Sequence, residues 1–411
     1  MQDKYINFIL KKCIYSKSKS IFISYDKSNR DFIKKLIDEA VKIGYEISIE
    51  ETDYIYEHKL LQDLSIDGIR KHPYFNNDLW NKAAKSNSIF LLASTKFPHY
   101  FDDIDNAKRV VREEVRYKNM SEYIKKVSND EISWTIFGLP NEVWAKDIFP
   151  NSDCSYKKLE ELIYSFCMID GNKFDNYIDV ECKKANYLNN LNIKELVLTS
   201  DKGTNLKLGL VDDYIFRSLE KNHCIENIPT YAVWSMPNKY KTNGIIYGTA
   251  PISIGNYLIS DYWFEFKDGL VVKYDAKSGK EYLDKYLSVD DNHKRLGEIA
   301  LIDCNSPIAK TNRTYDCNLF DENISTHLAL GMAYKNTIKN GALLSDNELD
   351  EKGCNICSEH LDFNVGDDTL RIDAVLKNND IITIFENGIF KYDLINEKSP
   401  FINDDNRKII R

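Results

Sequence analysis

The spacing of apolar positions changes along the chain. Ser20-Ile21-Phe22-Ile23-Ser24 is a short β-branched run that predicts a strand. Phe32, Ile33, Leu36, Ile37, Ala40 and Val41 then recur at helical spacing and stop before Gly44, a residue type suited to closing a helix. Tyr45 to Ile49 predicts a second strand and Ile89 to Leu92 a buried third. This strand, helix, strand order predicts a parallel sheet covered by helices. Asp103 to Val127 interleaves Arg109, Arg112, Glu113 and Glu114 with Val110, Val111 and Val115, which predicts one exposed amphipathic helix. A strand is expected at Ser133 to Phe137, followed by a helix on which Leu159, Leu162, Ile163 and Phe166 share a face.

From about Leu196 the pattern shortens to strands at Leu206 to Val211, Gly244 to Tyr247 and Tyr262 to Phe266. Lys267-Asp268-Gly269 turns the last of these into Leu270 to Tyr274, a hairpin signal. The chain therefore divides into an α/β amino-terminal domain, residues 1–190, with a parallel sheet and flanking helices, and an α+β, antiparallel-β-rich carboxyl-terminal domain, residues 191–411. There is no internal repeat and no Ser- or Pro-rich linker.

Composition narrows the classes of function. With 43% hydrophobic residues, 17 Gly and 9 Pro among 411, the chain is expected to fold rather than remain disordered. No apolar run exceeds seven residues, far short of the roughly 20 a membrane helix needs, so no membrane association is expected. Met1-Gln2-Asp3-Lys4 does not open a secretory signal, and a cytoplasmic location is expected. Nine cysteines are then mostly small buried hydrophobes without disulfides. A net charge of −9 gives no basic patch able to neutralise several phosphates, which argues against nucleic acid as a partner.

Candidate chemistry concentrates in the carboxyl-terminal half. His360-Leu361-Asp362-Phe363-Asn364 has strand-like alternation, so His360, Asp362 and Asn364 face one way and Leu361 and Phe363 the other. Glu298 stands inside the apolar run Leu296-Gly297-Glu298-Ile299-Ala300-Leu301-Ile302, where a carboxylate is costly unless paired or bound to a cation. Leu319 to Tyr334 reads as a helix behind an Asp/Asn/Ser-rich cap, which would stack His327 and Tyr334 two turns apart around Gly331. Each of these features alone is also compatible with ordinary packing.

Other features carry less. Cys354-x-x-Cys357 is a single pair and suits a loop better than a zinc site. His58, His72, His99, His223 and His293 lack partner motifs and are expected at the surface or in turns. No Gly-rich phosphate loop and no serine in a nucleophile elbow occurs.

Order and spacing add what single motifs do not. Leu296-Gly297-Glu298-Ile299-Ala300-Leu301, Ser306-Pro307-Ile308-Ala309-Lys310, Leu319-Phe320-Asp321-Glu322-Asn323 with His327 and Tyr334, and His360-Leu361-Asp362-Phe363 resemble successive motifs of the aminopeptidase T and aminopeptidase S (aminopeptidase II) family of dinuclear metallo-aminopeptidases. Asn227-Ile228-Pro229-Thr230, Trp144-Ala145 with Phe149-Pro150, and Asp268-Gly269 extend the resemblance over most of the chain. The resemblance implies that Glu298 is shared by two metals, His327 is a ligand of the first, and His360 and Asp362 are ligands of the second. By the same resemblance Glu322 is a ligand or the general base, and Tyr334 polarises the scissile carbonyl. It further implies one or two divalent ions per chain (zinc, cobalt, manganese or iron), a peptide or small-molecule substrate, and a homodimer enclosing a large cavity.

One position departs. After Asn-x-Pro-Thr the family reads Glu-Glu, the second a ligand of the first metal, whereas this chain has Tyr231-Ala232. A methyl group cannot coordinate a cation, and adjacent cations repel unless carboxylates neutralise them. Asn364, on the face of His360 and Asp362, is the candidate to compensate. The first expectation is a peptidase with impaired or redirected activity. Alternatives are a mononuclear enzyme, since His327, His360 and one carboxylate match the pattern of non-haem iron oxygenases, or an inactive homologue that binds peptides.

Overall fold

The computed structural model describes residues 1–14, 16–219, 224–254 and 257–401. They form two compact units, Met1–Gly171 with Glu220–Pro229, and Asn172–Leu219 with the chain from Thr230 onward. The division falls before the helix Lys173–Asn190, not after it. The sequence marks the end of the helical pattern, but packing assigns that helix to the second unit. Its Ala185 and Leu188 join the core there, and Lys184 Nζ donates to Leu301 O at 3.2 Å.

In the first unit β1 (Ser20–Asp26), β2 (Glu46–Thr52), β3 (Ile89–Ser94) and β4 (Trp134–Gly138) pair in parallel in the order β2-β1-β3-β4. The helix Arg30–Lys42 buries Phe32, Ile33, Leu36 and Ala40, and Gly44 at φ +93° lets Tyr45 N reach Ala40 O at 3.1 Å. The single helix expected over Asp103 to Val127 is two, Asn106–Asn119 and Ser121–Ser128. Asn119 is buried there and donates to Phe75 O, while Glu122 N donates to Asn81 Oδ1, and these tertiary bonds fall where the helix breaks. Val111 and Val115 are buried, so the first of the pair has an inward face.

After the helix Lys173–Asn190 the second unit continues with β5 (Ile193–Thr199) and β6 (Asn205–Leu210), and the chain then returns to the first unit, where β7 (Asn227–Ile228) extends the parallel sheet beside β4. The chain continues through β8 (Val233–Ser235), β9 (Pro237–Tyr247), β10 (Ile252–Ile254), β11 (Tyr257–Lys267) and β12 (Leu270–Ser278). Next come β13 (Leu296–Leu301), β14 (His327–Gly331), β15 (His360–Asn364), β16 (Arg371–Leu376), β17 (Ile381–Glu386) and β18 (Ile389–Phe390). A large antiparallel sheet runs β10-β11-β9-β6-β5-β16-β17-β18, with β12 paired to β11. The expected hairpin joins β11 to β12 through Asp268 and Gly269, both at positive φ.

A smaller sheet, β15-β14-β13-β8, is also antiparallel. One face of it supplies Val233, Ile299, Leu301, Leu328, Leu330 and Phe363 to a core shared with Leu196, Leu198, Leu206 and Leu208 of the large sheet. Each fully buried leucine contributes about 1.5–3 kcal/mol, so this face is firmly anchored. The opposite face is free for chemistry.

The helix expected over Leu319 to Tyr334 is not formed as such. A short helix, Asn318–Asp321, is followed by β14. Short apolar runs fit either period, and here Leu328-Ala329-Leu330-Gly331 alternates large inward residues with small outward ones. His327 and Tyr334 therefore do not share a helical face.

Candidate metal centre

Strand register assembles the site. Glu298 on β13 pairs with Ala329 on β14, which pairs with Asp362 on β15. His327 lies between Ala300 and Asn364, and His360 stands opposite Gly331. With a two-residue period, Glu298, His327, His360 and Asp362 all project from the face opposite the core. The residues between them on that face, Ala300, Ala329 and Gly331, are small and leave room for the longer side chains.

A β-bulge aims Glu298. Leu296 pairs with Leu330 while Glu298 pairs with the adjacent Ala329, so β13 carries one extra residue there. Without the bulge, Leu296 and Glu298 would share a face; with it, leucine goes to the core and glutamate to the site. Gly297 makes this possible, because a Cβ there would lie 2.3 Å from Met332 O and 2.4 Å from Gly331 O.

The donors converge closely. His327 Nε2 is 3.4 Å from Glu298 Oε1 and 3.8 Å from Asp362 Oδ1. His360 Nε2 is 3.6 Å from Glu298 Oε2 and 3.0 Å from Asp362 Oδ1. Each imidazole thus faces a different oxygen of Glu298 and the same oxygen of Asp362. His360 Nδ1 lies 2.7 Å from Met332 O, a bond that presents Nε2 to the cluster. Tyr334, 39% exposed, packs its ring against His360 with centroids 4.7 Å apart.

Glu322 follows the short helix between two anchored residues. Asp321 accepts from Tyr315 N at 2.7 Å and Cys317 N at 2.9 Å. Asn323 accepts from Tyr231 N at 2.7 Å, donates to Leu319 O at 3.1 Å, and its carbonyl takes Ser306 Oγ at 3.0 Å. Burial pushes the Glu322 carboxyl well above its ordinary range, and the negative charges of Asp362 and Glu298 add to the effect. For the two imidazoles burial acts downward, but the carboxylates outweigh it: His327 is pushed up to about 9 and His360 to about 10. For Asp362 burial acts upward and is outweighed by His360, which holds the carboxyl low.

Two expectations change here. Asn364 is not free to compensate for Ala232. Its Oδ1 accepts from Ser325 N at 3.2 Å and Ser325 Oγ at 3.3 Å, and its Nδ2 donates to Asp321 O at 2.8 Å, so it ties the Glu322 segment to β15. His293, expected at the surface or in a turn, does lie in a turn but is 1% exposed. Nothing beside it in sequence signalled that burial. Ala232, buried one residue before β8, has the same strand parity as Trp234, the register partner of Ala300, and offers no donor atom. Cys354 is buried among Val211, Met236, Ala333, Ile338 and Leu349, and none of the nine cysteines forms a disulfide.

The donor set suits a divalent cation. Glu298, His327 and Asp362 each offer an atom within 4.8 Å of the others, on a largely buried surface with more carboxylates than imidazoles. Nitrogen and oxygen ligands of this kind suit zinc, cobalt, manganese or iron.

Fold and cluster together define a metallopeptidase-like protein. The profile of the M29 peptidase family, described as thermophilic metalloprotease, matches residues 1–390, and the chain belongs to that family. It is 29% identical to aminopeptidase 2 of Geobacillus stearothermophilus over 409 residues, covering 95% of this chain and 98% of that one. It is 26% identical to aminopeptidase AmpS of Bacillus subtilis over 384 residues, covering 90% and 93%. The structure of AmpT from Thermus thermophilus shares the fold, with a TM-score of 0.85 at 22% identity over 95% of this chain and 98% of that one. A 2,5-dihydroxypyridine dioxygenase from Pseudomonas putida has a looser likeness, TM-score 0.53 at 10% identity over 95% and 96%, which concerns the fold alone. No helix among the described residues is long and apolar enough to cross a membrane.

Proposed function

We propose that this chain removes amino-terminal residues from peptides by metal-assisted hydrolysis. The convergence of His327 Nε2 and His360 Nε2 on Glu298 and Asp362 carries the reading. Glu298, with a separate oxygen toward each imidazole, would be shared between two cations, with His327 holding the first and His360 with Asp362 the second. A divalent cation of the zinc, cobalt, manganese or iron class, one or two per chain, supplies an acidified water and a Lewis acid for the peptide carbonyl. Glu322 would take a proton from the attacking water and pass it to the leaving amine. Its raised proton affinity suits transfer near neutral pH. Tyr334, beside His360, donates a hydrogen bond from its hydroxyl to the carbonyl oxygen. A homodimer, as the family resemblance implies, and a cytoplasmic location are proposed with this reading.

With Ala232 in place of a carboxylate, the first position would hold its cation more weakly than the second. Metal content of protein purified without chelator, measured alongside turnover of aminoacyl nitroanilides and short peptides, tests both parts. Ala232→Glu is expected to raise stoichiometry toward two and to increase turnover. A metal-loaded protein that releases no amino acid from a broad peptide panel would overturn the peptidase reading. Unchanged stoichiometry in the variant would overturn the account of Ala232.

A further inference from the structure

A second cluster of donors lies outside this centre. Asp290 and His293 belong to the turn around the short 3-10 helix Asn292–Lys294, just before β13, and Cys357 lies in the segment leading into β15. His293 is 1% exposed, and its Nδ1 is 2.8 Å from Asp290 Oδ1 and 3.6 Å from Cys357 Sγ. One donor atom from each of the three lies within 4.8 Å of the others.

The same ring nitrogen faces both neighbours. In a proton relay, the acid and the nucleophile occupy opposite nitrogens of the imidazole. Here both stand at Nδ1, while Nε2 is buried without a hydrogen bond. One N–H cannot serve a carboxylate and a sulfur together, whereas a cation between the three can. Nitrogen and sulfur ligands of a tetrahedral zinc, at about 2.0 and 2.3 Å from the metal, are about 3.6 Å apart. The observed Nδ1 to Sγ distance is 3.6 Å. The Asp290 oxygen must open by about 0.5 Å to reach tetrahedral spacing; the side chain is half-exposed, and its Oδ1, which also accepts from Asn292 N at 2.8 Å and His293 N at 3.0 Å, would lengthen those bonds in doing so.

The two segments are already fastened together. Asn292 Nδ2 donates to Ile356 O at 2.9 Å, and Asn355 Nδ2 donates to Asn292 O at 2.8 Å. Tyr286 packs its ring at 73° against His293. The thiol is thus delivered to the histidine by two asparagine side chains bonded to backbone carbonyls just before the contact residues, before any ligand binds.

We propose that Asp290, His293 and Cys357 form a thiolate-containing cation site of the zinc class, distinct from the nitrogen and oxygen cluster around Glu298. Binding breaks the S–H bond of Cys357, forms a sulfur–metal bond and releases the proton to water. The ion cross-links the turn before β13 to the segment before β15, the two strands that carry Glu298 and the His360, Asp362 pair.

Cobalt(II) titration of chelator-stripped full-length protein separates the two sites, because only a thiolate gives a near-ultraviolet sulfur-to-cobalt charge-transfer band. The band intensity at saturation is expected to correspond to a single thiolate-bound cobalt per chain and to be bleached by zinc. Cys357→Ser, a near-isosteric change, should abolish it, and Asp290→Asn should weaken cobalt binding at least about tenfold. Cys354→Ser and Glu298→Gln should keep it. Absence of the band at saturating cobalt, or its survival in Cys357→Ser shown by circular dichroism to be folded, would overturn the proposal.

Discussion

Glu322 is held by its neighbours. Asp321 is fixed by two backbone donors and Asn323 by bonds to Tyr231, Leu319 and Ser306, and Asn323 Nδ2 also donates to Glu322 Oε1 at 3.4 Å, so the carboxylate between them is placed by anchored neighbours. Glu322→Gln keeps size and polarity but removes the base. It is expected to lower kcat about 10²- to 10⁴-fold while leaving metal content unchanged. Turnover and metal analysis of the same preparation check this; full activity would remove Glu322 from proton transfer. At this scale the sequence is uneven. That His360, Asp362 and Asn364 share a face follows from strand alternation. That the Asn364 amide is spent on Ser325 and Asp321 does not, because those partners sit 39 and 43 residues away. His293 is the sharper case: its sulfur neighbour is 64 residues distant, beyond any local signal.

Among the elements, β13 decides most. Its bulge sends Leu296 to the core and Glu298 to the cluster, and it tolerates no side chain at Gly297. Gly297→Ala would push a methyl against two carbonyl oxygens and is expected to cost roughly 1–3 kcal/mol or more in stability. It should also reduce bound metal, since the backbone shift moves Glu298. Denaturant midpoints and metal stoichiometry measured on one preparation test this, and an alanine variant with both intact would show that the bulge does not aim the glutamate. The apolar pattern revealed β13 and β15 as strands but could not reveal the bulge, which exists only in pairing with β14. The same limit explains Leu319 to Tyr334. An apolar run is ambiguous between helix and strand until a partner strand appears, and β14 has partners on both sides.

For the whole molecule, the cluster links stability to pH. Without metal, His327 and His360 hold protons up to about 9 and about 10 because their carboxylate neighbours outweigh burial. Unfolded histidine titrates near 6.5, so the contribution is complete below about that pH and disappears as pH rises through the folded values. The midpoint of metal-free protein is therefore expected to fall between about pH 7 and 10, while the stabilisation gained on adding a cation grows over the same interval, since binding displaces those protons. Thermal unfolding with and without metal across that range tests it, and a flat metal-free profile would reject the coupling. The sequence by itself determined the two kinds of architecture, the alternation that gives each strand an apolar side and a polar side, and the order of the donor residues. Those are properties of a backbone period and are written locally. Only the tertiary structure decided that residues 298, 327, 360 and 362 stand within a few ångströms, that Asn364 is occupied, and that His293 is buried beside Cys357. Strand pairing sets these distances, and pairing is chosen by burial of the opposite face against residues far away in the chain.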